Sequence, residues 1–441
     1  MKHNLIILLA IVTGVLCSKY TIAQVKTLSL KEAIDLSLKN SKQLKASRAR
    51  IDVAIAQVKE AEDNRLPNFN VTGSYLRLSS ANVDLKVKSN NSTGTTQGNS
   101  VPSISQAMYG IANISYPVYA GGKIKYAIES AKYLEQATKL DADNDEQAVI
   151  LNTMNAYTNF YKATGAAMVL RENLDLSRQR DTSFSELERN GLLARNDLLK
   201  TELQTSAIEL TLLDAENNVK LANINMDLML GLPETTEIQI DPSFFEQTPS
   251  IKNIDEYEQL AIQNRKDVQA LSFRKKAAST AIKSAKTDGY PTIALTGGYI
   301  AAYIPNLISI TNAINLGVGV QYNLASLWKT NTKLQQAKAR EQELQANEEQ
   351  LNDAIRLQVN QDYEKYLLSQ KRIDVYQKTL AQAIENYRIT KNKYDNGLAS
   401  VTDLLDADVS LQQTKLNLQS AKADAILAYN KLLQTTGSLN P

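Results

Sequence analysis

Residues 313–324 read Ala313-Ile314-Asn315-Leu316-Gly317-Val318-Gly319-Val320-Gln321-Tyr322-Asn323-Leu324. Ile314, Leu316, Val318, Val320, Tyr322 and Leu324 form one row, and Asn315, Gly317, Gly319, Gln321 and Asn323 the other. A period of two sends alternate side chains to opposite faces of an extended strand. One face here is large and apolar, the other polar or tiny. Ile293, Leu295, Gly297, Tyr299, Ala301 and Tyr303 make a second such row; Phe69, Val71, Gly73 and Tyr75 make a third. Met108, Gly110, Ala112, Ile114, Tyr116 and Val118 make a fourth, weaker one. Apolar outside, polar inside, about ten residues long, with tyrosines near the ends, is the pattern of a transmembrane β-strand. Residues 289–328 carry no charge, which also suits a helical membrane hairpin. Pro291, Pro305 and the interspersed Thr, Asn and Gln favour strands instead. A soluble four-stranded sheet packed on helices is the other alternative. In lipid, a four-stranded sheet has two open edges whose backbone groups find no partner. Several identical chains must then close a barrel whose strand count is a multiple of four; 8, 12 and 16 strands are all allowed.

Working outward, the flanking tracts switch to helical spacing. Tyr366, Ile373, Leu380, Tyr387 and Tyr394 recur every seventh residue, as do Leu404, Leu411, Leu418, Ala425 and Leu432. Ala407, Thr414, Ala421 and Ala428 sit three places on. These are the seams of a left-handed coiled coil. Few Gly or Pro interrupt residues 122–189 or 328–395. At 1.5 Å per residue each tract spans about 100 Å, too long for the interior of a compact globule.

The chain is also written twice. Ser37-Leu38-Lys39-Asn40 matches Ala261-Ile262-Gln263-Asn264 at an offset of 224, which also carries Thr72-Gly73-Ser74-Tyr75 onto Thr296-Gly297-Gly298-Tyr299. Beyond that the offset settles at 206. Tyr157 then maps to Tyr363, Asn190-Gly191-Leu192 to Asn396-Gly397-Leu398, Asp197-Leu198-Leu199 to Asp403-Leu404-Leu405, and Gly231 to Gly437. The lost 18 residues fall between Tyr75 and Tyr116, where the polar, Gly- and Ser-rich stretch 88–100 predicts an exposed loop. Within it, Asn91-Ser92-Thr93 matches a glycosylation sequon, read as a chance occurrence. The pattern predicts a first repeat over 24–231, with strands at 68–78 and 108–118 and a helical hairpin over 122–230. A linker or equatorial segment at 232–250 follows, then a second repeat over 251–437 with strands at 292–303 and 313–324 and a hairpin over 328–436, then a tail at 438–441.

Residues 1–23 have the layout of a secretory signal peptide: basic Lys2 and His3, an apolar run from Leu5 to Leu16, and a small-residue exit at Ala23. The run is too short to span a bilayer. Cys17 would admit lipidation, but Leu16 occupies a position where a lipoprotein signal needs a small residue. Cys17 and His3 are the only Cys and His among the 441 residues. Their removal excludes disulfides, thiolate chemistry, and zinc sites or triads that need either residue. With 49 basic against 47 acidic residues, no strong field draws the chain to nucleic acid. Gly121-Gly122-Lys123 and Gly317-Val318-Gly319 fail the spacing of phosphate and dinucleotide loops. Carboxylate pairs, Ser-Lys dyads and all-oxygen metal sites stay open by residue type; with heptad-regular acids and no compact cleft-bearing domain, neither an enzyme nor a cofactor is expected.

The signal peptide, duplication, paired strands and long helical hairpins together resemble the TolC-like outer-membrane channel family. The most specific local match is Tyr394, Gly397 and then Asp403-Leu404-Leu405-Asp406-Ala407; Gly191 followed by Asp197 looks like its first-hairpin partner. Pro67, Pro117 and Pro291 are expected at helix–strand junctions, with Asn323 replacing Pro at the fourth. The resemblance implies a mixed α and transmembrane β fold: a homotrimer sharing a 12-stranded outer-membrane β-barrel, four strands per chain. A periplasmic α-helical coiled-coil barrel continues it. It implies a passive duct that gives an inner-membrane pump or secretion ATPase, through a periplasmic adaptor, an exit across the outer-membrane lipid.

By that match, Asp403 and Asp406, three apart on one helical face, should line a periplasmic constriction as rings of carboxylates. Such rings attract cations and bind hard multivalent ions. A solvated coiled-coil face is the plain alternative. Tyr394 and Asp197 match positions that lock the family's closed state by a hydrogen bond, although Tyr394 also continues the heptad seam. An Arg that joins the lock in relatives is Ala399 here; Arg195 is the candidate substitute. Gly191-Leu192 and Gly397-Leu398 should form hairpin tips that dock an adaptor helix, or plain helix turns. The rival function is a periplasmic coiled-coil adaptor or scaffold. The cargo is not legible in the chain.

Overall fold

The computed structural model describes residues 26–81, 104–246, 249–305, 307–327 and 331–439. The signal peptide over 1–23, Cys17, the loop over 88–100 and its sequon lie outside the described residues. The order is β1 (Lys26–Leu28), α1 (Leu30–Asn40), α2 (Lys42–Asp63), β2 (Asn68–Ala81), β3 (Ile104–Tyr119), α3 (Lys123–Arg189), α4 (Arg195–Leu230) and β4 (Ile238–Ile240). It continues with α5 (Ile254–Asn264), α6 (Lys266–Lys286), β5 (Thr292–Ile304), β6 (Ile308–Gln321), α7 (Thr332–Asp395) and α8 (Val401–Thr435). Two compact units emerge, each drawing on both halves of the sequence. One comprises residues up to Arg48, Asp141–Val268 and those from Gln350 onward; the other comprises Ala49–Leu140 and Gln269–Glu349.

The second unit holds an antiparallel sheet in the order β2-β3-β5-β6. Its register aligns the four apolar rows on one face. Phe69 pairs with Ile114, Ile114 with Gly297, and Gly297 with Leu316; Val71, Ala112, Tyr299 and Ile314 make the next row. The opposite face carries Asn70, Asn113, Gly298 and Asn315 in one row. A Cβ at Gly298 would lie 2.7 Å from Asn315 Oδ1 and 3.0 Å from Asn113 Oδ1, so the missing side chain makes room for two amides. The apolar face lies open, with Leu316 92% and Ile314 79% exposed. Each such side chain left in water forgoes about 1.5–3 kcal/mol. The only charged residue in the four strands is Arg77. Below the sheet, Lys132 pairs with Glu62 at 2.9 Å and Lys275 pairs with Glu348, while Lys123 and Lys333 share Asp288 at 3.0 Å each.

Strand ends depart from expectation. β6 stops at Gln321, because Asn323 Oδ1 accepts from Ala325 N at 3.2 Å and Leu324–Leu327 turn as a 3-10 helix. Tyr322 and Leu324 therefore leave the apolar row. Pro117 is not at a junction but inside β3, at a register shift between Pro117 and Tyr119 that accommodates its missing N–H. Pro67 and Pro291 immediately precede β2 and β5, as expected.

The first unit is helical. On α8 the seam residues Leu404, Leu411, Ala425 and Leu432 are buried and Leu418 is half-buried; at the matching positions of α4, Leu198, Thr205, Leu212 and Met226 are buried and Val219 is half-buried. On α7, Tyr366 is buried while Ile373, Leu380, Tyr387 and Tyr394 are half-buried. The segment 232–250 is more than a connection: β4 pairs in parallel with β1, and a 3-10 turn at Pro242–Glu246 buries Phe245. The Tyr157 hydroxyl reaches the Leu28 carbonyl at 2.9 Å and that of Asp241 at 3.1 Å, stapling this small sheet to α3. Around it pack Ile34, Ile150, Phe160, Met226 and Leu230, together with Leu439 from the expected tail.

The helix ends repeat in space what repeats in sequence. Gly231 and Gly437 follow α4 and α8 with φ of 69° and 66°, a left-handed conformation that costs glycine little. A Cβ on Gly231 would lie 2.9 Å from the Cβ of Asn40, and one on Gly437 would lie 2.9 Å from the Asn264 carbonyl carbon. Asn40 Nδ2 also donates to the Leu230 carbonyl at 2.6 Å. Asn40 and Asn264 are the matched asparagines of the two repeats.

Candidate functional site at the helical hairpin tips

Two turns close the hairpins, and they share one geometry. Gly191 takes φ 74°, with Leu192 N donating to Leu187 O at 2.8 Å and Gly191 N to Glu188 O at 2.9 Å. Gly397 takes φ 72°, with Leu398 N donating to Lys393 O at 2.8 Å and Gly397 N to Tyr394 O at 2.9 Å. Both are Schellman caps, in which the left-handed glycine lets the chain turn back to satisfy the last carbonyls. Leu192 and Leu398, one place on, are 74% and 77% exposed. The expected tips are thus brought to equivalent positions with their leucines bare.

The helices that follow differ. Ser400 caps α8 in a reciprocal box: its hydroxyl accepts from Asp403 N at 3.2 Å, and the Asp403 carboxylate accepts from Ser400 N at 2.8 Å. The Ser400 hydroxyl, which also donates to the Asp403 carboxylate, and then the Ser400 main-chain N–H hold that carboxyl below its ordinary value. α4 is preceded by Ala194, whose side chain supplies no cap. Asp197, the counterpart of Asp403, instead accepts from Lys200 Nζ at 3.0 Å. The counterpart of Lys200 at the offset of 206 is Asp406. One repeat therefore presents a neutralised Asp–Lys pair where the other presents two exposed carboxylates, Asp403 and Asp406.

Tyr394 and Asp197 are near one another but occupied elsewhere. The Tyr394 ring stacks on Phe184, centroids 5.5 Å apart, against a cluster of Leu198, Val401, Leu404 and Leu405. Burial raises its phenol, and the Asp197 carboxylate adds to the rise. Among the described residues no hydrogen bond joins the two. Arg195, the first residue of α4, is exposed. Sequence reading missed Arg180 and Asp408, a nearly buried ion pair at 3.0 Å between α3 and α8. Residues 228 apart leave no local pattern; a charged residue directly after the seam position Ala407 was the available signal. Among the described residues no group of three or more acidic, Cys or His side chains is placed to hold a metal. Among the described residues no helix is long and apolar enough to cross a membrane.

A sheet with a lipid-suited face and two open edges, in a duplicated chain with two long helical hairpins, defines a subunit of an envelope channel. The chain belongs to the outer membrane efflux protein family, whose profile matches residues 33–232 and 258–438. It is similar to Toxin and drug export protein A of Aggregatibacter actinomycetemcomitans, 24% identical over 428 residues that cover 92% of this chain and 85% of that protein. It is also similar to Cation efflux system protein CusC of Escherichia coli strain K12, 25% identical over 421 residues, covering 90% and 84%. Among solved structures, the outer membrane protein VceC of Vibrio cholerae shares its fold, with a TM-score of 0.75 at 18% identity, covering 92% of this chain and 96% of that one. The resemblance to the TolC-like channels is borne out, and with it an outer-membrane location and a role in efflux. The periplasmic adaptor alternative finds no support.

Proposed function

We propose that this chain is the outer-membrane exit duct of a tripartite efflux pump or a type I secretion system. It works as a homotrimer that performs no chemistry. The observation that carries the reading is the open sheet: among the described residues the outer edges of β2 and β6 are unpaired, and the strands between them carry an apolar, charge-free face. Lipid covers such a face, but only another strand can satisfy such an edge. The first helical unit supports the same reading. Leu203, Leu210, Leu221 and Leu228 stand exposed along α4, and Leu357, Leu368, Val375 and Ile389 along α7, stripes that identical neighbours would cover. We assign the two repeats to 24–231 and 251–437.

In this reading Asp403 and Asp406 form the periplasmic constriction. Tyr394 and Asp197 belong to the closed state, Tyr394 through its stack on Phe184. Gly191, Leu192, Gly397 and Leu398 are the tips that meet a periplasmic adaptor, which links the duct to an inner-membrane pump or secretion ATPase. The named relatives differ in cargo, toxin and drug in one and cations in the other, so the cargo class is not assigned. The test is reconstitution: detergent-extracted protein should run as a heat-modifiable trimer and conduct in planar bilayers. A chain that stays soluble and monomeric without detergent overturns the reading. Leu192→Asp with Leu398→Asp should abolish crosslinking to the adaptor; intact crosslinking removes the tips from the docking site.

A further inference from the structure

The seam between α3 and α8 joins the first hairpin to the second, and its contacts run antiparallel. Lys162 Nζ meets Asp424 at 2.8 Å. Gly165 has no side chain where the Gln419 amide lies; a Cβ there would be 1.6 Å from Nε2. Arg180 Nη1 meets Asp408 Oδ2 at 3.0 Å. The first ion pair is solvated, but the side chains of Arg180 and Asp408 are only 11% and 10% exposed. Arg180 Nη2 also donates to Ser177 Oγ at 2.7 Å, and Gln412 Nε2 approaches Asp408 Oδ1 at 3.4 Å. From α7, Tyr387 faces the same pair: burial raises its phenol, and Asp408 raises it further while Arg180 opposes. The repeat counterparts of Arg180 and Asp408 at the offset of 206 are Asn386 and Glu202, the latter exposed. The pair is therefore particular to this seam and not a product of the duplication.

We propose that Arg180 and Asp408 are the positioning latch that holds the second hairpin against the first in the closed duct, a role resting on the gated-duct reading above. Taking two charges out of water is costly, and a buried pair returns little more than its desolvation cost. An apolar pair would hold the seam as well or better. What the ion pair adds is a cheap way to part. When α8 leaves α3, both charges regain water, whereas parting apolar groups would expose them to it. The latch thus sets the register of the closed seam with little net bias against opening. It lies on the helix side of the Phe184, Leu198, Leu404 and Leu405 cluster, so the tips cannot splay widely while it holds.

The experiment compares resting conductance of the full-length protein in planar bilayers. Arg180→Ala or Asp408→Ala leaves one buried charge alone in the closed state, and should raise resting open probability at least about tenfold. The swap Arg180→Asp with Asp408→Arg should bring it back towards the starting value. Arg180→Met with Asp408→Leu should assemble and open less often than the natural duct. Assembled single variants that conduct like the natural protein overturn the latch and leave the duct intact. So does an Arg180→Met with Asp408→Leu duct that opens more often than the natural one, a comparison that settles the matter even if the single variants fail to assemble. Absence of current from the natural protein overturns the duct and the latch together.

Discussion

Asp403 accepts hydrogen bonds from both the main-chain N–H and the hydroxyl of Ser400, at 2.8 and 2.7 Å. A residue assigned to a constriction by resemblance is thus also the third member of a helix cap, while Asp406 has no such duty. The two carboxylates are separable by substitution.

Asp403→Asn with Asp406→Asn should abolish block of single-channel current by a lanthanide or cobalt ion. Asn keeps an acceptor for Ser400, so stability should fall by less than about 1 kcal/mol, whereas Asp403→Ala should cost about that much through the lost cap. Block that persists in the double variant takes these residues out of the constriction.

Tyr394→Phe preserves the stack on Phe184 and removes only a hydroxyl. Its conductance should match the natural protein, while Tyr394→Ala, which removes ring burial, should leak. A leak from the Phe variant would restore the hydrogen-bonded lock that the resemblance implies.

Gly298→Val drives a side chain into the amides of Asn113 and Asn315. It should prevent formation of a heat-modifiable oligomer. Gly317→Ala meets nothing closer than Thr296 Oγ1 at 3.9 Å and should assemble normally. Equal behaviour of the two would mean that the row through Gly298 is not packed as described.

Asp227 is fully buried near the end of α4, with one oxygen unpaired. Burial, and then the Glu234 carboxylate, pushes its carboxyl from an ordinary 3.8 up to about 6. The folded state thus prefers the protonated acid. That contribution is complete below the unfolded value and disappears as pH rises through about 6. Asp227→Asn should therefore stabilise the protein at about pH 8, by something on the order of 2 kcal/mol, and change little at about pH 4. Thermal melts at the two pH values check the sign; equal shifts at both would count against the assignment.

The membrane sheet was legible because lipid demands an alternation that few other environments impose; the alternation put Phe69, Ile114 and Leu316 on the apolar face, whereas their pairing register came from the structure. Its limits were less so. Tyr322 and Leu324 continue the alternation, but a single side chain, Asn323, turns the backbone after Gln321. The three-residue strands β1 and β4 are too short to show any period, and only Tyr157 and a buried core define them. At the tips, glycine position and leucine exposure followed from the repeat. The Ser400–Asp403 box was written in the spacing of those residues, yet the acids drew the eye as charges. Arg180 and Asp408 meet only because two hairpins from different repeats pack, which no local window reveals.

Both compact units borrow segments from each copy of the repeat, and the largest buried core joins Met226 and Leu230 of the first copy to Ala423 and Ile426 of the second. Gly231 can seat against Asn40 early, but Gly437 reaches Asn264 only when nearly the last residues have arrived. A transcript truncated after the first copy would therefore yield a ward of periplasmic chaperones and proteases, not half a conduit.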